Sequence, residues 1–168
     1  NKVTIVDKDN NIQLFESHYL DGRWSEVEKM VFSEADANYG HATYDAANKL
    51  LYFSSDREGG HGGMDIWYTR NLGKGNWSIP TNCGARINTA QNEIFPSINE
   101  LGELRYSSNG HFGLGGLDIF SSNGSKSSWS KPVNLKAPIN SSYDDFAFVQ
   151  NPSNPNVGFL SSNRRGGK

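Results

Sequence analysis

The chain repeats itself at an interval of about 53 residues, and this period restricts the folds that it can adopt. Trp24, Trp77 and Trp129 lie 53 and 52 residues apart. Three Ser-Ser pairs and two aspartates recur at nearly the same interval, beginning at Ser54, Ser107 and Ser161 and at Asp65 and Asp118. Such a period is typical of folds that stack one supersecondary unit several times, since a single unit cannot bury its own apolar faces.

Each repeat contains the residues of four short β-strands separated by turns. In the central repeat the strand-forming runs fall at 94–98, 103–107, 117–121 and 129–134. Asn, Gly and Ser fill the connections and supply the positive φ angles that tight hairpins need. Four strands in each repeat predict an all-β fold, namely a β-propeller of four-stranded blades.

We expect about three blades in the 168 residues, so that the chain is a partial propeller. The predicted boundaries place the end of one blade at 1–35, complete blades at 36–88 and 89–140, and an incomplete blade at 141–168. These segments are called the first, second, third and fourth unit below. A native propeller of five or six blades is the corresponding hypothesis, because propellers close with four to eight blades.

Aromatic residues recur within the predicted strands and are expected to pack between neighbouring blades. This group consists of Phe53, Trp67, Tyr106, Phe120 and Phe159. The repeated tryptophans each follow a turn. We therefore expect Trp24, Trp77 and Trp129 to be structural residues that cover the outer edges of the blades.

Asp65 and Asp118 each follow a Gly-Gly pair. A residue that returns in every unit is better explained by the fold than by catalysis. We expect both carboxylates to accept hydrogen bonds from N–H groups of the preceding glycine-rich loop.

The composition argues against several classes of partner. The formal net charge is −2 and the pI is about 6.1, which gives no electrostatic basis for nucleic-acid binding. No run approaches the roughly 18 apolar residues that a membrane-spanning helix requires, so direct membrane insertion is not expected. Cys83 is the single cysteine and has no partner for an internal disulfide.

The motifs resemble a known family of repeats. Ser54-Ser-Asp-Arg is followed by Gly62-Gly-Met-Asp-Ile-Trp, and Trp77-Ser-Ile-Pro by Ile87-Asn-Thr. This order is similar to the WD40-like (PD40) β-propeller repeats, which are similar to those of the TolB propeller. The form found here looks most like periplasmic proteins of the Bacteroidetes, in which the propeller accompanies tetratricopeptide repeats and an OmpA-like peptidoglycan-binding domain.

The resemblance implies a periplasmic, outer-membrane-associated scaffold in a cell-envelope or type IX secretion assembly. Its partners would be envelope proteins, and peptidoglycan would be held by a neighbouring domain. Kelch repeats are the alternative family, because they also combine a Gly-Gly pair with spaced aromatic residues at a period near 50. The Ser-Ser-Asp-Arg and Asp-Ile elements favour the PD40 repeat. The first complete unit departs from the pattern, since Tyr39 stands where Glu93 stands one unit later.

Loops on a rigid scaffold are where binding usually resides, so the rim formed by the glycine-rich loops is the predicted binding surface. The candidate residues on that rim are Asp56, Arg57, His61, Asn109, His111 and Arg164. For the arginines, an ion pair with a neighbouring blade is the structural alternative to contact with a partner.

No metal, cofactor or catalytic residue is predicted. Asp56, Glu58 and Asp65 offer three carboxylates to a cation, but their spacing does not match an EF-hand loop, and Asn109 and His111 stand in the corresponding loop. The four histidines lack the spacing of a zinc motif.

The function expected from the sequence is therefore a non-catalytic protein-interaction scaffold. A glycan-binding or glycan-hydrolysing propeller is the alternative from a different class. Asp144 and Asp145 are adjacent acids, but neighbours on a strand point to opposite faces, so they do not form the converging pair that a glycosidase needs.

Overall fold

The computed structural model describes residues 2–6, 11–34, 36–154 and 156–166, and the fold is all-β. Within these ranges the strands form several antiparallel sheets, none of which closes on itself. The same ranges contain no helix long and apolar enough to cross a membrane.

The strands follow the repeat units in order. The first unit contains β1 (Lys2–Val6), β2 (Ile12–Glu16), β3 (Tyr19–Leu20), β4 (Arg23–Trp24) and β5 (Glu28–Lys29). The second contains β6 (Tyr39–Asp45), β7 (Leu50–Ser55), β8 (Asp65–Gly73), β9 (Asn76–Trp77) and β10 (Thr81–Asn82). The third contains β11 (Glu93–Ile98), β12 (Glu103–Ser108), β13 (Asp118–Ser125), β14 (Ser128–Trp129) and β15 (Val133–Asn134). The fourth contains β16 (Asp145–Gln150) and β17 (Gly158–Ser162).

The second and third units have the same topology. Four strands pair in the order β6-β7-β8-β10 in one and β11-β12-β13-β15 in the other, while β9 and β14 form short hairpins with the far ends of β8 and β13. The predicted strand at 129–134 is therefore wrong in one respect, because it consists of two separate strands, β14 and β15. Pro132 lies between them and has no backbone N–H with which to continue a ladder.

The first strand of each of the last three units, β6, β11 and β16, contains a bulge at the same repeat position. His41, Phe95 and Ala147 each have φ near +55° there, and the pairing register shifts around them. A bulge of this kind bends a strand and increases its twist. These three strands also lie side by side, since β11 contacts both β6 and β16. The successive units therefore meet along their first strands.

Two apolar cores lie between successive units. Phe53 and Trp67 face the first unit and pack with Leu14 and Phe32, whereas Tyr52 and Ile66 face the third unit. Side chains alternate between the two faces of a strand, so the sheet of the second unit is buried on both faces. Tyr106 and Phe120 belong to the second of these cores. Each core is thus shared by two units rather than contained in one.

Phe159 does not share this environment, because its side chain is 65% exposed. The Ser-Ser pair at Ser161 aligns with the pair at Ser54, which puts Leu160 rather than Phe159 at the position of Phe53. Phe159 therefore lies on the opposite face of its strand, at the position of Tyr52. The expectation that Phe159 packs like Phe53 is wrong by one residue of register.

Replacing Phe53 by Ala is expected to destabilise the fold by about 3–5 kcal/mol, because Phe53 is fully buried between two units and its loss leaves a cavity. Phe159→Ala is the matched control and is expected to cost less than about 1 kcal/mol. Urea denaturation of both variants in dilute solution measures the difference. Equal midpoints for the two variants would contradict the register described above.

Candidate functional site

The glycine-rich loops connect each unit to the next one. The N–H of Gly63 donates to the carbonyl oxygen of Gln91 at 2.8 Å, and the N–H of Glu93 donates to that of Met64 at 2.6 Å. One unit later, the N–H of Asp145 donates to the carbonyl oxygen of Leu117 at 2.7 Å. We call this arrangement the seam: the backbone contact between residues 62–64 and 90–93, and its counterpart at 115–117 and 141–145.

The seam explains the Gly-Gly pairs. A Cβ atom built on Gly62 would lie 2.4 Å from the backbone carbon of Ala90, and one on Gly115 would lie 2.1 Å from the backbone oxygen of Tyr143. Neither distance is possible without moving the backbone of the next unit. Glycine is needed here for close approach of two chain segments rather than for a special φ angle.

Asp65 and Asp118 hold these loops from within. Both carboxylates are fully buried. Asp65 accepts hydrogen bonds from the N–H of His61 at 2.5 Å and from Nδ2 of Asn82 at 2.7 Å. Asp118 accepts from the N–H groups of Leu114 and Gly115, at 2.7 and 2.9 Å. These hydrogen bonds fix the conformation of each loop from within its own unit.

Asp56 and Asn109 each bind the asparagine that precedes the first strand of their own unit. Asp56 Oδ1 accepts from the N–H of Asn38 at 2.6 Å, and its Oδ2 accepts from Nδ2 of Asn38 at 2.7 Å. Asn109 Oδ1 accepts from the N–H of Asn92 at 2.9 Å. Asn92 Oδ1 in turn accepts from the N–H of Met64 at 3.0 Å, which extends the seam by one bond.

The basic candidates are also engaged within the chain. Arg57 forms an ion pair with Glu34 at 2.8 Å, and its guanidinium lies 5.1 Å from the ring centre of Trp67. Arg164 donates to the carbonyl oxygen of Ile139 at 2.7 Å and also forms a short ion pair with Asp145. The contact of Arg57 with Glu34 joins the first unit to the second, and that of Arg164 with Ile139 joins the third to the fourth.

The third unit has a glycine, Gly110, at the position of Arg57 and Arg164, and His111 follows it. Its Nε2 donates to the carbonyl oxygen of Ile87 at 2.8 Å. Ile87 and Ile139 precede equivalent asparagines, so His111 and Arg164 bind equivalent carbonyl groups. His61 is exposed at the loop surface, as are Asp56 and Asn109.

The three repeated tryptophans have different environments. Trp129 is buried and packs edge-on against Tyr52 of the preceding unit at 5.8 Å. Trp77 is half-buried and packs in the same way against Phe32 at 6.1 Å. Trp24 is exposed, and its ring contacts that of Tyr19 at a tilted angle of 57°. Where it is covered, the repeated tryptophan therefore packs on the preceding unit.

Two buried asparagines form structural contacts that the sequence analysis did not assign. Asn88 Oδ1 accepts from the N–H of Ile66 at 2.8 Å, and its Nδ2 donates to the carbonyl oxygen of the same residue at 2.9 Å. Asn140 binds Ile119 through the same two bonds, each 2.8 Å long. The side-chain amide thus bonds the N–H and the carbonyl group of one strand residue, as a neighbouring β-strand would. The repetition of the asparagine in the Ile-Asn-Thr and Ile-Asn-Ser motifs is the sequence feature that could have indicated these contacts.

Two buried acids occupy the start of β11 and β16. Glu93 accepts hydrogen bonds from the N–H and Oγ1 of Thr89, at 2.7 and 2.8 Å. Asp145 accepts from the N–H and Oγ of Ser141, at 2.6 and 2.8 Å. Burial raises the pKa of Asp145, but hydrogen bonds from Ser162, Arg164 and Ser141 outweigh it, so the pKa lies below its ordinary value of 3.8.

Open grooves occur at the opposite ends of these strands. We call this surface the turn rim; it is formed by the turns at 44–49, 98–102 and 150–154. A groove of about 490 Å³ lies between the first two turns, and one of about 440 Å³ lies between the second and third. Both are bordered by Ile98, Asn99 and Glu100, so they adjoin across the turn of the third unit.

A positioned arginine borders the second groove. Arg105 donates to Oε2 of Glu103 at 2.6 Å and to Oε1 of Gln150 at 2.8 Å, and its guanidinium lies 5.1 Å from the ring centre of Phe148. Leu101 stands beside it and is 91% exposed. Fixed polar groups next to an exposed apolar side chain are suited to binding an extended ligand.

The grooves and the glycine-rich loops differ in how much space and how many polar groups they offer to a ligand. Most polar candidates on the loop rim are bonded to other groups of the chain, whereas the turn rim offers space between units. Among the residues that the structure describes, no three His, Cys, Asp or Glu side chains form a group that could hold a metal ion. The turn rim is therefore the candidate functional site.

Gly62→Ala is expected to destabilise the protein by about 1–3 kcal/mol, because the added methyl group enters the backbone of the next unit. The control is Gly40→Ala, whose Cβ would meet only Cγ2 of Ile12 at an ordinary 3.7 Å. Unfolding in urea gives both values. Loss of stability in the control alone would show that the seam does not require glycine.

The protein is expected to lose stability in acid through Asp145. A carboxyl group with a depressed native pKa stabilises the fold above its ordinary pKa of 3.8, and the contribution disappears as the pH falls through the native value. The free energy of unfolding of Asp145→Asn should therefore change less below about pH 4 than that of the wild type. Glu100→Gln, at an exposed position, is the control. Identical pH profiles for wild type and Asp145→Asn would refute this role.

These assignments rest on the geometry of the chain itself. The sequence matches no protein-family model, and no curated protein matches it.

Proposed function

We propose that the four units are successive blades of a β-propeller. The second and third units have the four-strand order of a blade, and their first strands lie side by side. The same seam joins the second unit to the third and the third to the fourth. The period of about 53 residues and these shared contacts support a radial arrangement of equivalent sheets.

We further propose that the chain is a non-catalytic interaction scaffold whose turn rim binds protein partners. The observation that carries this proposal is the pair of adjoining grooves between successive turns. Most of the polar candidates at the other rim bind groups of their own chain, whereas the turn rim has open grooves between units. Paired strands beneath these turns suit recognition, since a scaffold that already orders its binding loops reduces the entropy cost of binding.

The proposed partners are envelope proteins, and the proposed location is the periplasm at the outer membrane. Support for both comes from the resemblance of the motifs to PD40 repeats. In this proposal a neighbouring domain binds peptidoglycan, and the propeller contributes protein contacts to a cell-envelope or type IX secretion assembly.

Leu101→Asp is expected to reduce capture of envelope proteins by the immobilised chain at least about tenfold, because a charge replaces the exposed apolar residue beside the second groove. Phe112→Asp is the matched control, since Phe112 is 98% exposed on the opposite, loop rim. Quantitative mass spectrometry of detergent-solubilised envelope fractions measures retention.

The two variants distinguish the surfaces. Loss of retention with Phe112→Asp alone would move the binding surface to the glycine-rich loops, and unchanged retention with both would contradict binding at either position. Retention of polysaccharide that Leu101→Asp abolishes would instead favour the glycan-binding alternative.

A further inference from the structure

The groove between the turns at 44–49 and 98–102, called the first groove below, has an acidic lining. Its volume is about 490 Å³. Asp45 borders it from the second unit, and Glu100 borders it from the third. None of the described residues that border this groove is basic. The lining therefore brings two acidic side chains to one open space without a basic side chain between them.

Asp45 is a buried acid that has no cation as its partner. Its side chain lies in a residue that is only 8% exposed. Oδ1 accepts a hydrogen bond from the N–H of Asn48 at 3.1 Å, and Oδ2 accepts one from Nδ2 of Asn48 at 2.7 Å. These bonds orient the carboxylate but supply no positive charge. The ion pairs among the described residues involve other acids, namely Glu16, Glu34, Glu103 and Asp145.

A carboxylate that is largely withdrawn from water is costly when no cation compensates it. A ligand that brings a positive charge to Asp45 reduces this cost, whereas a neutral or acidic ligand does not. Glu100 is exposed on the opposite side of the groove and forms none of these ion pairs. The charge of the first groove therefore selects for a cation.

The rest of the lining suits the stem of a long basic side chain. Tyr44 is 41% exposed, and its ring lies edge-on to that of Trp77 at 6.3 Å. A lysine or arginine over such a ring gains a cation–π interaction. Ala46, Ala47 and Ile98 add apolar surface along which methylene groups can lie.

The second groove of the turn rim differs, because a cation is already part of its lining. Arg105 donates to Oε2 of Glu103 at 2.6 Å, and both residues border that groove. Leu101 and Pro152 add apolar surface there. The two adjoining grooves thus offer different chemistry to one extended segment of a partner.

We propose that the first groove binds the side chain of a lysine or arginine that belongs to an extended segment of a partner protein. The cation lies near the carboxylates of Asp45 and Glu100, and the stem lies along Tyr44. The inference rests on the proposed function, because it names the chemistry that the turn rim recognises. The occupant is basic because the groove is acidic and its buried carboxylate has no cation among the described residues.

Nuclear magnetic resonance of the isotope-labelled 168-residue chain tests this proposal with two model ligands. Nα-acetyl-lysine methylamide is expected to shift the amide signals of Ala46, Ala47 and Asn99, with a dissociation constant on the order of 1 mM for a single side chain. Nα-acetyl-norleucine methylamide has the same alkyl chain without the ammonium group and is expected to leave them unchanged. Added salt should weaken the binding of the lysine ligand.

Three variants locate the charge that is recognised. Glu100→Gln is expected to weaken binding of the lysine ligand roughly threefold, as for an exposed ion pair. Asp45→Asn is expected to weaken it at least about tenfold, because the lost charge is buried. Glu58→Gln is the matched control, since it removes the same charge from an exposed position on the loop rim and should bind like the wild type. Circular dichroism of each variant verifies that the fold is kept.

Equal shifts with the lysine and norleucine ligands would overturn the proposal, because the groove would then recognise only the alkyl chain. The absence of any shift in the first groove would do the same, as would lysine binding that Glu100→Gln leaves unchanged. The proposed function is judged separately by the retention of envelope proteins. Loss of retention with Leu101→Asp, without a shift specific to lysine, would keep the turn rim as the binding surface and reject only the basic side chain.

Discussion

The seam between successive units is the contact on which the rest of the structure depends. A sheet that is apolar on both faces cannot be stable alone, and the hydrogen bonds from Gly63 to Gln91 and from Glu93 to Met64 fix how the next sheet approaches. These bonds fix the spacing across which Tyr52 and Ile66 pack against the third unit. Packing density in such cores leaves little tolerance for a shift of the backbone.

The seam also determines which polar residues are left for function. Asp56, Asn109, His111 and Arg164 look like surface residues in the sequence, yet each bonds to backbone or side-chain groups of the chain. At the other ends of the same strands the turns contain unlike residues, such as Ala46 in one unit and Leu101 in the next. The polar candidates of the loop rim are thus bonded within the chain, whereas the turn rim differs in sequence between the second and third units.

Much of the fold could be predicted because its determinants are local. The strands around Tyr106 follow from turn residues and from the repeated Ser-Ser pair, and the loop role of Asp65 follows from the glycines before it. The position of Phe159 was misassigned because a shift of one residue reverses the face of a strand. The grooves could not be predicted, since residues from different units, such as Asp45 and Glu100, line them without a common motif.

The units are not interchangeable, and the reason lies in the residue at the position of Tyr52. In the third unit this position is Arg105, which binds Glu103 and Gln150 and lies over Phe148. A buried guanidinium needs such partners, because an unpaired buried charge is costly. The fourth unit supplies Gln150 and Phe148 to this cluster. The junction between the third and fourth units therefore contains a polar cluster at the position where the junction between the second and third units has the apolar core around Tyr52.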